Sequence, residues 1–426
     1  MKRSLVVEIN KPVLTKYAED YFSSRIVNYV GGSKSDIVCL FRDYIVVFSR
    51  IASCAIYKLL ADNYKVNKTS GGDDEELPFP VIRETTLNRT SPYTAIYFVE
   101  DNSGNKFVVR LHLSRDPYTL SNIYLYLPEG KLDVGNKFFQ EFEQCMKMFN
   151  NLRLKGDGEF LEPIQTLGDS DLVLPDDLKR AIKSNVVNYI SRYKSYVESA
   201  EPKVFNHLKR GGRGLILFGP PGTGKSLTIR WLMSSMSDCN FIVVTGENIR
   251  RGADIANIFT LARMIKPTVV VLEDVDIYGL SRDNGSYPSG ILNELLTQLD
   301  GPQFDMAGIV TIATANKSEV LDKALSKRPG RFDVILNYKE PAINERLHLL
   351  KLTLSKVLID EEINYARLAD LTEGFSSAQI VEVVKRGCII ADERVDDLVL
   401  HQEDLVAAVN QLKEPTKEIG FKTKES

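Results

Sequence analysis

The chain has 426 residues, enough for two to four domains at roughly 100–200 residues each. Apolar residues make up 43% and charged residues 26%, which excludes a mostly disordered or fibrous polymer. With 54 Lys plus Arg against 57 Asp plus Glu, the net charge of −3 gives no general electrostatic case for a dedicated nucleic-acid or membrane-surface binder.

Residues 1–165 predict a small α+β domain for partner recognition or assembly. The opening MKRSLVVEINKP has no apolar run of secretory-signal length. The most apolar stretch, Asp36 to Leu60, is broken by Arg42, Asp43, Arg50 and Lys58, so it cannot supply the ~20 uncharged residues of a spanning helix. The spacing of those charges predicts one solvated face on a helix over Ser35–Asp62, behind the turn GGSKSD. A loop, KTSGGDDEELPFP, follows at 68–80. TAIYFVE (94–100), the turn DNSGN and KFVVRLHLS (106–114) form a β-hairpin by alternation and turn chemistry. NIYLYL (122–127) is a further strand and KFFQEFEQCMKMF (137–149) a helix. Cys39, Cys54, Cys145, Cys239 and Cys388 form no CxxC pair and read as reduced thiols of a cytoplasmic protein.

Residues 166–340 alternate near-continuous apolar runs with helical segments. LILFG (215–219), FIVVTG (241–246), VVVLED (269–274) and GIVTIATAN (308–316) read as strands buried on both faces of a parallel sheet. Residues 341–413 predict a helical subdomain, with helices near 343–356, 376–392 and 402–412. The tail 414–426 is Lys/Glu-rich and predicts disorder.

GPPGTGKS, from Gly219 to Ser226, fills G-x-x-x-x-G-K-S after an apolar strand and before a helical segment. Gly219, Pro220, Pro221, Gly222, Thr223 and Gly224 let backbone N–H groups curl around a β-phosphate, and the helix N-terminus adds positive charge. Lys225 reaches the β/γ oxygens, Ser226 offers a hydroxyl to Mg²⁺, and Leu227 follows in the nucleotide-binding set. Glu273 and Asp274 end the next-but-one apolar strand, where a carboxylate holds the Mg²⁺ shell. Asn316 ends the following run, placed to orient a water between γ-phosphate and carboxylate. Arg328 and Arg331 flank Pro-Gly and offer guanidinium charge to a γ-phosphate, from within a subunit or from a neighbour.

Taken together, GPPGTGKS, VVVLEDVD, LNELLTQLDG (292–301), IATAN (312–316), RPGRFD (328–333) and LTEGFSSAQI (371–380) resemble the AAA family of ATPases, in the family's order, over about residues 175–412. The resemblance implies a Rossmann-like P-loop ATPase core of α/β class, a C-terminal helical lid, ATP and Mg²⁺ as ligands, and assembly into a ring, usually a hexamer, with a heptamer the other ring size considered. Arg328 and Arg331 match the family's trans-acting arginine fingers, and Ala378 stands where small residues approach the nucleotide.

Four positions depart from the family pattern. The usual Asp-Glu pair is Glu273-Asp274, which by position gives Glu273 the metal role and Asp274 the water-polarising role with a side chain one methylene shorter. The stretch from Gly246 to Phe259 is shortened and holds no aromatic, which disfavours peptide threading there; Arg250 and Arg251 occupy it, as solvated charge or a basic pore lining. Thr353 stands where many relatives carry an adenine-contacting His, with His348 an ordinary lid residue. The usual SGAD reads Ser376-Ser377-Ala378-Gln379. No HExxH occurs, so the membrane-anchored metalloprotease branch is set aside. The shortened loop and the LEDVD order are also similar to the AAA branch of the mitochondrial Rieske-protein translocase.

Three functions fit this reading. A chaperone-like ring would remodel, move or disassemble a protein partner. A nucleic-acid-directed ATPase would use Arg250, Arg251 and KRGGR (209–213). A nucleotide-gated scaffold would hydrolyse ATP weakly because of the swapped acids.

Overall fold

A computed structural model describes residues 13–15, 24–70, 94–114, 120–198, 212–275, 290–300, 305–316, 332–360, 362–394 and 399–413. The first sheet contains β1 (Val13–Thr15), β2 (Ile37–Tyr44), β3 (Lys65–Ser70), β4 (Thr94–Glu100), β5 (Lys106–His112) and β6 (Ser121–Pro128). Its order is β1-β2-β6-β5-β4-β3, with antiparallel neighbours throughout. The β4–β5 hairpin closes as its turn residues predict, with the Asp101 carboxylate accepting from the N–H groups of Ser103 and Asn105. Helices Ser49–Asn63 and Leu132–Lys147 bring Ile51, Ile56, Phe138 and Phe142 into one apolar core with the buried Val109, Leu111 and Leu125 of the sheet.

The helix expected over Ser35–Asp62 is two elements. Residues 37–44 form β2, paired with β6 along its whole length, and the helix begins only at Ser49. Six of the eight β2 residues are buried, on both faces of the strand, so the polar alternation that would have marked it is missing. The solvated charge face is corrected with it. Arg42 is buried, ion-paired with Glu143, and its guanidinium lies 4.7 Å from the Phe139 ring centroid. Burial leaves a guanidinium stable only when such partners replace its water.

The second sheet is parallel and contains β7 (Arg153–Lys155), β8 (Arg213–Phe218), β9 (Asn240–Val244), β10 (Thr268–Leu272), β11 (Ile309–Ala315) and β12 (Val334–Asn337). The order is β12-β8-β11-β10-β9-β7. All residues of β9, β10 and β11 are buried, which is why these runs show no alternation in sequence. β8 lies between β11 and β12 and these strands run parallel, so the segments leaving β8, β10 and β11 gather at one sheet edge, where α/β folds bind ligands.

β7 lies ahead of the expected boundary at 165 and pairs with β9, so the parallel sheet already begins there. Arg153 fixes it: the guanidinium donates to the carbonyls of Met233 (2.5 Å), Met236 (2.8 Å) and Cys239 (2.7 Å) and stacks on Phe241. The following turn touches the first sheet's layer. Arg50 Nε donates to Glu159 at 3.2 Å, and Gly158, at φ +86°, approaches so closely that a Cβ there would sit 2.1 Å from the Val47 carbonyl oxygen. A single apolar core therefore runs from Val47 and Phe48 into Ile249, Ile255 and Ile258.

Helices Ile343–Leu354, Tyr365–Leu371, Ser377–Asp392 and Gln402–Lys413 form the lid around its own core of Leu350, Leu354, Leu368, Ile380, Val383 and Leu405. No described helix is long and apolar enough to cross a membrane. Residues 414–426 lie outside the described residues.

Candidate nucleotide site

The Gly219–Gly224 loop joins β8 to the helix Lys225–Ser235, as the motif requires. Two glycines are dictated by space. Gly219 has φ +150°, and a Cβ there would lie 2.0 Å from the Tyr338 carbonyl oxygen at the exit of β12. Gly222, at φ +77°, would bring a Cβ within 2.9 Å of Ala378 Cβ and Ser376 Oγ in the lid. Backbone closes this contact: Ala378 N–H donates to the Gly222 carbonyl at 2.9 Å. The predicted approach of Ala378 to the nucleotide site is thus an approach to the phosphate loop itself.

Lys225 is only 7% exposed, and its Nζ donates to the carbonyls of Gly219 (2.6 Å) and Pro220 (2.8 Å). The ammonium is held inside the loop by neutral acceptors. An anionic phosphate oxygen is a stronger acceptor, so the geometry suits capture of phosphate. Thr223 Oγ1 also donates to Pro220 (2.8 Å), stiffening the same turn. Ser226 is exposed in the first turn of the helix, with its hydroxyl available to a cation.

The acidic pair sits at the end of β10. Glu273 N–H donates to Val244 (2.9 Å), and burial raises its carboxyl pKa, with Asp274 adding to the rise and Arg230 opposing it. A half-buried carboxylate that gains from a neighbouring cation, together with the Ser226 hydroxyl, is a hard oxygen donor set that fits Mg²⁺. Metal binding needs the ionised Glu273, so a proton competes for it at a higher pH than at an exposed Glu. Asp274 adopts φ +49°, a conformation that Asp and Asn enter far more readily than other non-glycine residues. Its N–H donates to Thr314 Oγ1 (2.8 Å), and its Oδ1 accepts from Asn316 Nδ2 at 3.1 Å. The sequence predicts a water-mediated role for Asn316; the structure adds a direct amide–carboxylate bond.

Arg328 and Arg331 lie outside the described residues. Of the same motif, Phe332 is buried and Asp333 pairs with Arg213 at 3.8 Å. Arg213 is the last residue of KRGGR, so that part of the basic cluster already faces an acid. Arg251 likewise pairs with Asp254 (3.8 Å), whose carboxylate also accepts from the backbone N–H groups of Arg250 and Arg251. Thr353 Oγ1 donates to Leu349 within its own helix, and His348 is exposed.

A cavity of about 500 Å³ opens beside the loop, with Thr223 in its lining. Val173, Leu174 and Leu178 form one wall, Leu336 and Pro341 another, and Ser377 and Glu345 come from the lid. These apolar walls suit a purine ring. Sequence reasoning missed the first wall. Its signal was the apolar run LVLP (172–175) just ahead of the helix Asp176–Ile182.

Residues 215–340 match the family model described as "ATPase family associated with various cellular activities (AAA)". The chain carries an AAA-family ATPase domain. ATP and Mg²⁺ are the ligands of this AAA domain, and the matched residues include Lys225, Ser226 and Glu273. Among curated relatives, the mitochondrial ATP-dependent zinc metalloprotease FTSH 10 of Arabidopsis thaliana is 34% identical over 193 residues, covering 42% of this chain and 23% of that protein. The ATP-dependent zinc metalloprotease YME1 homolog of Schistosoma mansoni is 34% identical over 208 residues, 46% of this chain and 31% of its own. The FtsH protein of Mesoplasma florum is 30% identical over 226 residues, 51% and 34% of the two chains. The AAA-bearing chain thus spans only about a quarter to a third of these relatives. The sequence set the metalloprotease branch aside, yet the similarity runs to proteins of that name. No HExxH occurs in these 426 residues, and no three His, Cys, Asp or Glu side chains gather as a metal site among the described ones.

Proposed function

We propose that this protein hydrolyses ATP as a ring-shaped homo-oligomer, usually of six, and uses the cycle to remodel, move or disassemble a protein partner selected by residues 1–165. The observation that carries this reading is the bond from Ala378 in the lid to Gly222 in the phosphate loop, together with the Asp274–Asn316 contact at the same sheet edge. A phosphate that enters the loop meets lid and acid pair at once, so nucleotide state is felt by both subdomains. Continuous packing from Val47 through Gly158 to Ile249 supports transmission of that state to the first domain. The absence of an aromatic between Gly246 and Phe259 favours moving a partner without threading it. A cytoplasmic setting fits the five free cysteines, four of them buried.

A second reading has its own observation. Asp274 is short, held by Asn316 and Thr314, and limited in its reach towards a water. A nucleotide-gated scaffold with slow hydrolysis would follow. Sedimentation of the purified protein tests the assembly common to both: with Mg²⁺-ATP one species several subunits in mass is expected. A monomer at every nucleotide state would sink the ring.

A further inference from the structure

The cavity beside the phosphate loop contains an unusual group. Glu345, in the first turn of the lid helix Ile343–Leu354, lines it, and the Glu345 Oε2 atom is sealed from solvent with no hydrogen-bond partner among the described residues. A buried acceptor without a donor is costly, more so when charged, and a turn of the carboxylate towards the cavity would let a ligand's donor relieve it. The ligand end nearest the phosphates is marked by Thr223 and Ser377, because Ser377 adjoins Ala378, which bonds Gly222. Glu345 shares the cavity with Leu174, Leu336 and Pro341, apolar surfaces that suit a base.

We propose that Glu345 is a specificity-determining residue that selects adenine over guanine. Its carboxylate accepts from the exocyclic 6-amino group of adenine. The last torsion of Glu is soft and roughly two-fold, so either oxygen can be presented to the base. Guanine places a carbonyl oxygen at the same position, and two acceptors facing each other in a desolvated cavity repel. A site built to hydrogen-bond a substrate group rejects the analogue that lacks it far more strongly than an apolar pocket does. This inference rests on the nucleotide site described above.

Calorimetric titration with ADP, GDP and 2′-deoxyADP, none of which has a γ-phosphate to lose, tests it. The protein is expected to bind ADP at least about tenfold tighter than GDP. Glu345→Gln, whose amide can also donate to a guanine carbonyl, is expected to narrow that ratio to less than about threefold, chiefly by raising GDP affinity. Glu345→Ala should lower ADP affinity, and melting without nucleotide checks that both variants fold. An unchanged ADP/GDP ratio in both variants overturns the proposal. So does a change confined to the ADP/2′-deoxyADP ratio, which would mean that the carboxylate reads the ribose. If the unsubstituted protein binds no ADP, the nucleotide site itself is wrong and this inference falls with it.

Discussion

Lys225→Ala is expected to lower ATP turnover about a hundred- to a thousandfold, the range for removing one preorganised electrostatic donor. Lys225 is 7% exposed and its Nζ is held by two carbonyls of its own loop, at 2.6 and 2.8 Å, so the ammonium is positioned before any ligand arrives. Alanine removes the charge and also leaves the Gly219 and Pro220 carbonyls without that donor. Thr223 still bonds Pro220, and Thr228 Oγ1 still bonds Gly224 at 3.0 Å, so the turn and the helix start have other supports. The loss should therefore appear in nucleotide binding and turnover, with little change in thermal unfolding of the free protein. Parental turnover in Lys225→Ala would place the chemistry elsewhere.

Asp274→Asn is expected to reduce turnover about 10²- to 10⁴-fold, the usual contribution of a general base, while ATP binding persists. The substitution is close to isosteric and suits the backbone, because Asn tolerates φ +49° as well as Asp does. Its side-chain oxygen can still accept from Asn316, and the N–H bond to Thr314 Oγ1 is unaffected. Only the negative charge is lost. The same backbone gives a physical setting for the reversed acids: the second position lies in the left-handed region, where Asp is at home and a longer Glu is less favoured. Turnover equal to the parent, measured at saturating Mg²⁺-ATP, would remove Asp274 from the water-polarising role.

The nucleotide site was legible because its parts are local. A phosphate loop needs its glycines, Lys and Ser within eight consecutive residues, and the strands before Glu273 and Asn316 are apolar runs that announce their own burial. The cavity wall was harder to see. Val173, Leu174 and Glu345 are ordinary residues until folding brings a segment ahead of β8 against one after β12. β2 was misread for a related reason: IVCLFRDY is covered on both faces, and Arg42 imitates a helix-spaced surface charge while pairing with Glu143 inside. β7 is three residues long and owes its place to Arg153, which reaches three carbonyls 80 to 86 positions away in sequence. Neither pairing leaves a periodic trace.

In the proposed ring each ATP site is shared between subunits, with Lys225 from one and Arg328 from the next. Mixing Lys225→Ala protein with Arg328→Ala protein and measuring ATP turnover tests it most directly. Each variant is expected to be inactive alone and mixing to restore a fraction of parental turnover, because some interfaces then join an intact loop to an intact arginine. Mixtures that stay as inactive as their components, although they form mixed assemblies, would contradict it.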